Sequence, residues 1–154
     1  MNCDVLCRRL LSLERPDDVP PEFAGHLAAC AACRAWHARL CRMERLAVDL
    51  PVPAPARRAA KRQREKLPED LPDREQGPAE RAEHSEERAL LAEAVTRLPA
   101  DFRVAFLLRV EEGLSFRQIA NVLGLTEETA RWRVFKARQK LLRVLTPPLE
   151  QEKP

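Results

Sequence analysis

The sequence predicts an all-α chain of two helical units joined by a proline-rich linker, and three observations carry that prediction. Apolar residues recur three and four positions apart near both ends of the chain, which is the period of one helix face. Between about Pro51 and Glu83 that period is lost, and prolines stand at 51, 53, 55, 68, 72 and 78. Leu114 to Leu145 divides into two helical stripes about Gly124-Leu125, as in a helical hairpin with a tight turn. These set a first unit at 1–48, a linker at 49–83, a second unit at 84–146 and a tail at 147–154.

A chain of 154 residues has room for one or two domains. Its formal charge of +3 is too small to indicate nucleic-acid binding, so the distribution of charge has to carry that question. No apolar run reaches the length of a bilayer span and no signal-peptide pattern opens the chain, so a soluble, cytoplasmic protein with no membrane partner is expected. All five cysteines precede residue 42. In a cytosolic setting, metal binding or thiol chemistry then outranks a disulfide framework.

In the first unit, Cys3 to Leu13 reads as a helix with Val5, Leu6, Leu10 and Leu13 on its apolar side, ended by Arg15-Pro-Asp-Asp-Val-Pro-Pro. A second helix starts near Glu22 with Phe23 and Leu27. A third runs from about Cys33 toward Val48 with Trp36, Leu40, Met43 and Leu46. So small a unit buries little core and needs a staple. His26, Cys30 and Cys33 supply one: on a helix His26 and Cys30 share a face, and Cys33 joins them at the next turn. One imidazole and two thiolates make three ligands of a tetrahedral zinc site, and Cys3 or Cys7 offers the fourth. The competing reading is small buried thiols beside a core histidine. His37 and Cys41 read as helix-face residues.

Residues 1 to 46 resemble the zinc-binding anti-sigma fold of bacterial anti-sigma factors, whose motif is an upstream Cys or His followed by His-x-x-x-Cys-x-x-Cys. Met1-Asn2-Cys3 is similar to the opening of that family, and the resemblance implies a zinc set of Cys3, His26, Cys30 and Cys33. Four protein ligands close the site to water, which suits a structural or sensing role and not a zinc hydrolase.

The linker carries a basic run, Arg57-Arg58-Ala-Ala-Lys61-Arg62-Gln-Arg64, then an acid-rich stretch from Glu69 to Glu87. With no sustained apolar period it reads as extended, partly polyproline-like and partly disordered. The basic run reads as solvated, with contact to DNA phosphate as the alternative.

In the second unit Leu91, Val95 and Leu98 form a stripe that Pro99 ends. Asp101 is placed to cap the next helix, which turns Phe102, Phe106 and Val110 to one side. Both stripes need the hairpin as a packing partner. The hairpin's first helix carries Ile119, Ala120 and Leu123. Gly124 supplies the positive φ of the turn, Thr126 the N-cap, and Glu127 and Glu128 sit in a first turn that favours acids. Its second helix buries Ala130, Val134, Ala137 and Leu141. The other faces carry Arg131, Arg133, Lys136, Arg138, Lys140 and Arg143, with no acid from 131 to 143. This is a helix-turn-helix whose basic second helix suits a major groove, N-terminal half toward the bases. The alternative is an amphipathic hairpin with a solvated basic face.

Leu98-Pro99, Arg103, Phe106-Leu107-Leu108, Glu112 to Phe116, Ile119-Ala120, Leu123-Gly124, Thr129 to Arg133 and Lys136-Ala137-Arg138 resemble region 4 of sigma-70 family factors, in the extracytoplasmic-function variant. The resemblance covers about 85 to 145. It implies a domain that reads the −35 element of double-stranded promoter DNA and docks on the β flap of RNA polymerase. It also implies a DNA-binding set of Arg117, Thr126, Glu128, Thr129, Arg131, Trp132, Arg133 and Lys136. Trp132 departs from the family's usual serine, and Glu128 from a common glycine. Full factors of that group carry a region 2 upstream, and no stretch here resembles it. The expectation is therefore a non-enzymatic sigma-type transcription regulator whose first unit regulates it or recruits a sigma or anti-sigma partner. Anti-sigma modules of the resembling family cover sigma surfaces, which implies that this unit covers part of Arg131 to Arg143 or the polymerase-docking face in a zinc-dependent way; the alternative, weighted slightly higher, is that it binds an unrelated partner and leaves the sigma-like domain alone. The alternative is an anti-sigma-like interaction protein that does not read DNA.

Overall fold

The computed structural model describes residues 1–48, 50–64 and 85–145, and among them it shows eight helices and no strand. The tail at 147–154 and most of the linker, 65–83, lie outside the described residues.

The side chain of Asn2 accepts from the backbone N–H of Asp4 at 3.2 Å and so opens α1, Cys3–Leu11. Leu6, Leu10 and Leu11 are buried. The stripe therefore turns toward Leu11 and leaves Val5 48% exposed, against the sequence expectation. Pro21 begins α2, Pro21–Ala29, at the position where a missing N–H costs nothing. The chain breaks at Cys30 (φ −107°, ψ 107°) before α3, Ala31–Ala47. His26 and Cys33 thus stand on two helices rather than on successive turns of one.

The largest departure is α4, Ala54–Arg64, which lies where an extended linker was expected. Alanine, arginine, lysine and glutamine all favour helix, and Pro55 falls in the first turn, where proline is tolerated. Ala60 is fully buried, so the helix docks through small residues that leave no apolar stripe to detect.

The second unit comprises α5, Ser85–Arg97; α6, Ala100–Val110; α7, Phe116–Leu123; and α8, Glu127–Leu145. The N-cap of α6 is Pro99, without a side-chain bond, and Asp101 lies inside the first turn rather than capping it. Ser115 and Gln118 form a reciprocal capping box at the start of α7. Gly124 ends α7 at φ 68°, and the Thr126 hydroxyl accepts from the Thr129 N–H at 3.2 Å to start α8. A Cβ at Gly124 would meet no atom within 4 Å, so the left-handed backbone alone sets the cost of a side chain there. Gly124→Val is expected to destabilise the fold by about 1–2 kcal/mol, read as a lower urea midpoint at unchanged slope.

Helices from both parts of the chain share one cluster of buried residues, from Leu6, Leu10 and Met43 to Phe106, Ile119 and Leu141. Helix α3 packs on α5 and α8, and α4 packs on α7 and α6. Polar contacts follow the same seams: Arg42 pairs with Glu87 at 2.5 Å, and Arg88 donates to the Val48 carbonyl at 2.8 Å.

Candidate metal centre and nucleic-acid interface

The start of α1, the end of α2 and the start of α3 converge on one point. There the donor atoms of Cys3, His26, Cys30 and Cys33 all lie within 4.8 Å of one another, and the group could hold a metal ion. His26 Nε2 is 3.6 Å from Cys3 Sγ and 3.3 Å from Cys33 Sγ. Around a tetrahedral ion with bonds near 2.0 and 2.3 Å, nitrogen and sulfur ligands stand about 3.5 Å apart, which matches the two distances from His26. Burial, aided by the Cys3 and Cys30 thiols beside it, pushes the Cys33 thiol up to about 12. A divalent cation reverses that logic, because it stabilises thiolates outright. Cys7 lies beside the group, its thiol also pushed up by burial and hydrogen-bonded to Cys33. His37 Nε2 instead meets the Pro16 carbonyl at 2.7 Å, and Cys41 Sγ lies 3.4 Å from that same nitrogen.

On α8, Thr126, Glu128, Arg131 and Trp132 are exposed, as is Arg117 on α7, while Thr129, Arg133 and Lys136 are half-buried. Arg131 pairs with Glu127 at 3.3 Å and lies over the Phe116 ring at 5.5 Å. Trp132 is 50% exposed and rests edge-on against Phe102, centroids 5.4 Å apart, with the Lys136 ammonium 5.9 Å from its ring. Arg133 reaches Asp101 at 3.7 Å. The N-terminal half of α8 therefore presents a braced surface that, among the described residues, no other helix covers at its exposed positions.

Arg138 behaves differently. Expected on the basic surface, it is fully buried and faces the N-terminal helices. Its Nε donates to Glu44 Oε1 at 2.6 Å, and its other nitrogens donate to the carbonyls of Leu11 (2.7 Å), Leu13 (2.5 Å) and Glu14 (3.1 Å). Arg109 donates to the Glu14 carbonyl at 2.5 Å, and Glu14 Oε1 accepts from the Phe116 N–H at 2.8 Å, capping the first helix of the hairpin. The segment 11–14 is thus keyed into the helix-turn-helix. Arg138 follows Val134 by four and precedes Leu142 by four, so helical spacing alone puts it beside the buried stripe.

Residues 88–141 match the family model for sigma-70, region 4. This segment is similar to sigma-70 region 4. The chain is also 38% identical over 63 residues to the RNA polymerase sigma-H factor of Pseudomonas aeruginosa, a match covering 41% of this chain and 33% of that protein. It is 36% identical over 88 residues to the ECF RNA polymerase sigma factor SigE of Mycolicibacterium smegmatis, covering 55% and 34%. With the ECF RNA polymerase sigma-E factor of Haemophilus influenzae it shares 33% identity over 63 residues, covering 41% and 33%. The chain spans about a third of the length of these curated relatives. No solved structure matches it. The matched segment takes in α6, α7 and most of α5 and α8, and the Cys3-His26-Cys30-Cys33 group lies outside it. No helix among the described residues is long and apolar enough to cross a membrane.

Proposed function

We propose that this chain is a sigma-type transcription regulator that reads a −35-type element of double-stranded promoter DNA with the N-terminal half of α8. The observation that carries this reading is the coincidence of the region 4 match with an uncovered basic half-helix from Thr126 to Lys136. Arg117, Arg131, Arg133 and Lys136 would meet phosphates or base edges, and Thr126, Glu128, Thr129 and Trp132 line the same surface. Cys3, His26, Cys30 and Cys33 would hold one zinc ion, which locks α1 to α2 and α3. The four-ligand set leaves no open position, so its role is structural or sensing rather than catalytic. An open groove of about 320 Å³ between α5 and α8 supports polymerase docking: Leu98 and Leu141 line it, with exposed Leu90 and Val144 and basic Arg97 and Arg143. Its apolar lining suits the β flap that region 4 of this family binds.

The first unit covers Arg138 and leaves the Arg131 to Lys136 half open. In this reading it regulates region 4 from the C-terminal half of α8. A second reading, an anti-sigma-like interaction protein that does not bind DNA, is favoured by one observation: Glu44 and three backbone carbonyls withhold Arg138 from the basic surface.

Fluorescence anisotropy titrations against promoter-like duplexes at several salt concentrations separate the two. Alanine at Arg131, Arg133 and Lys136 is expected to weaken binding and to flatten the log–log salt dependence by about 0.9 per lost phosphate contact. Unchanged affinity and slope would select the second reading.

A further inference from the structure

Helix α4 precedes the matched region 4 in sequence, and no family match covers it. Its buried side is Ala60 with half-buried Ala56. At about 100° per residue, Arg58, Lys61 and Arg62 fall on the opposite arc, and Arg57 lies on the flank between. The helix contains no acidic residue to offset them. Arg57 meets the buried carboxylate of Glu112 at 3.7 Å, which pins the helix beside the loop that leads into α7. Arg58, Lys61 and Arg62 are exposed, and no ion pair of theirs is seen among the described residues. Arg57/Lys61 and Arg58/Arg62 are like-charge pairs one turn apart, an arrangement that opposes helix formation. Docking on α7 and α6 holds the charges in one rigid row all the same.

The placement of that row matters. In a helix-turn-helix the second helix enters the major groove while the first crosses the sugar–phosphate backbone. Helix α7 is that first helix, and α4 packs along it. We propose that α4 is a second DNA-contacting element, in which Arg58, Lys61 and Arg62 contact phosphates next to the groove read by α8. It adds affinity and no base recognition, since phosphate contacts position a protein without specifying sequence. This inference rests on α8 being the recognition helix and extends its footprint to a segment outside region 4.

The test uses the full chain and a mixed-sequence duplex of about 30 base pairs, because phosphate contacts need no particular sequence. Binding is titrated across salt concentrations for the wild type, for R58A/K61A/R62A, for the charge-preserving R58K/K61R/R62K, and for R131A/K136A. Alanine keeps the helix, which circular dichroism verifies. The α4 alanine variant is expected to lose about 0.9 of salt slope per contact, two to three contacts in all, and about tenfold or more in affinity at moderate salt. The charge-preserving variant is expected to keep both. An unchanged slope in the α4 alanine variant beside a reduced one in R131A/K136A would overturn the α4 assignment and leave α8 as the reader. Absence of salt-dependent binding by the wild type would overturn both. Loss of binding to an isolated polymerase subunit, with DNA binding intact, would assign the row to an acidic protein surface instead.

Discussion

Arg138→Ala is expected to destabilise the protein by about 3–5 kcal/mol, one of the two largest effects any single change should have here. The guanidinium is completely buried and its partners are fixed: the Glu44 carboxylate at 2.6 Å and the carbonyls of Leu11, Leu13 and Glu14. Truncation leaves Glu44, its side chain 7% exposed, without its hydrogen-bonded cation, and orphans the carbonyls of Leu11 and Leu13, while that of Glu14 keeps Arg109. Lysine is a poor substitute, because one ammonium cannot span a carboxylate and three carbonyls as the planar fork does. Removing both charges, as in E44L/R138M, is expected to recover much of the loss, since burying the pair itself costs desolvation. Urea unfolding of the single and double variants measures this. Hydrogen exchange at residues 11–14 should rise in the single variant as that segment comes away from α6, α7 and α8. A loss below about 1 kcal/mol would mean that the seam between the N-terminal helices and region 4 contributes little to stability.

The same arginine marks where sequence reading stops. Its position on α8 follows from spacing, but the carboxylate that makes burial tolerable lies on α3, 94 residues away. Nothing local links them. Glu14 is similar: its bond to the Phe116 N–H joins residues 102 apart. The hairpin was legible because its signals are local, with Gly124 at the turn, Thr126 at the cap and Ala130, Val134, Ala137 and Leu141 on one stripe. The convergence of Cys3, His26, Cys30 and Cys33 was legible for a related reason. Few physical roles explain a histidine and two cysteines at four- and three-residue spacing, and convergence of the donors survives the helix break at Cys30. Helix α4 escaped because proline and a run of like charges are loop signals, whereas its docking surface is only Ala56 and Ala60. Small side chains carry little hydrophobic signal, yet they allow close approach of helices.

Metal removal is the other large effect expected, and it should reach beyond the metal site. One zinc per chain is expected to co-purify, to persist in Cys41→Ala and to be lost in Cys30→Ser, as read by elemental analysis. Cys41 is spared because its neighbour His37 is committed to the Pro16 carbonyl at 2.7 Å. The helices that the ion would tie are short: α1 and α2 have nine residues each, and α2 buries only Phe23. Structural zinc in small domains carries apparent free energies of about 10–16 kcal/mol at neutral pH, so its loss should unfold α1 and α2 from α3. The consequence travels along α1. Cys3 stands at its start, and the carbonyls of Leu11, Leu13 and Glu14 that hold Arg138 stand at or just past its end. Freeing α1 therefore opens the Arg138 socket and removes the Glu14 cap from α7. Scanning calorimetry of the chelated chain should accordingly show region 4 melting at a lower temperature, with the shift reversed by zinc. A lower-melting N-terminal transition beside an unmoved region 4 would show that the seam does not couple them. Stoichiometric zinc in the Cys30→Ser protein would remove this ligand set altogether.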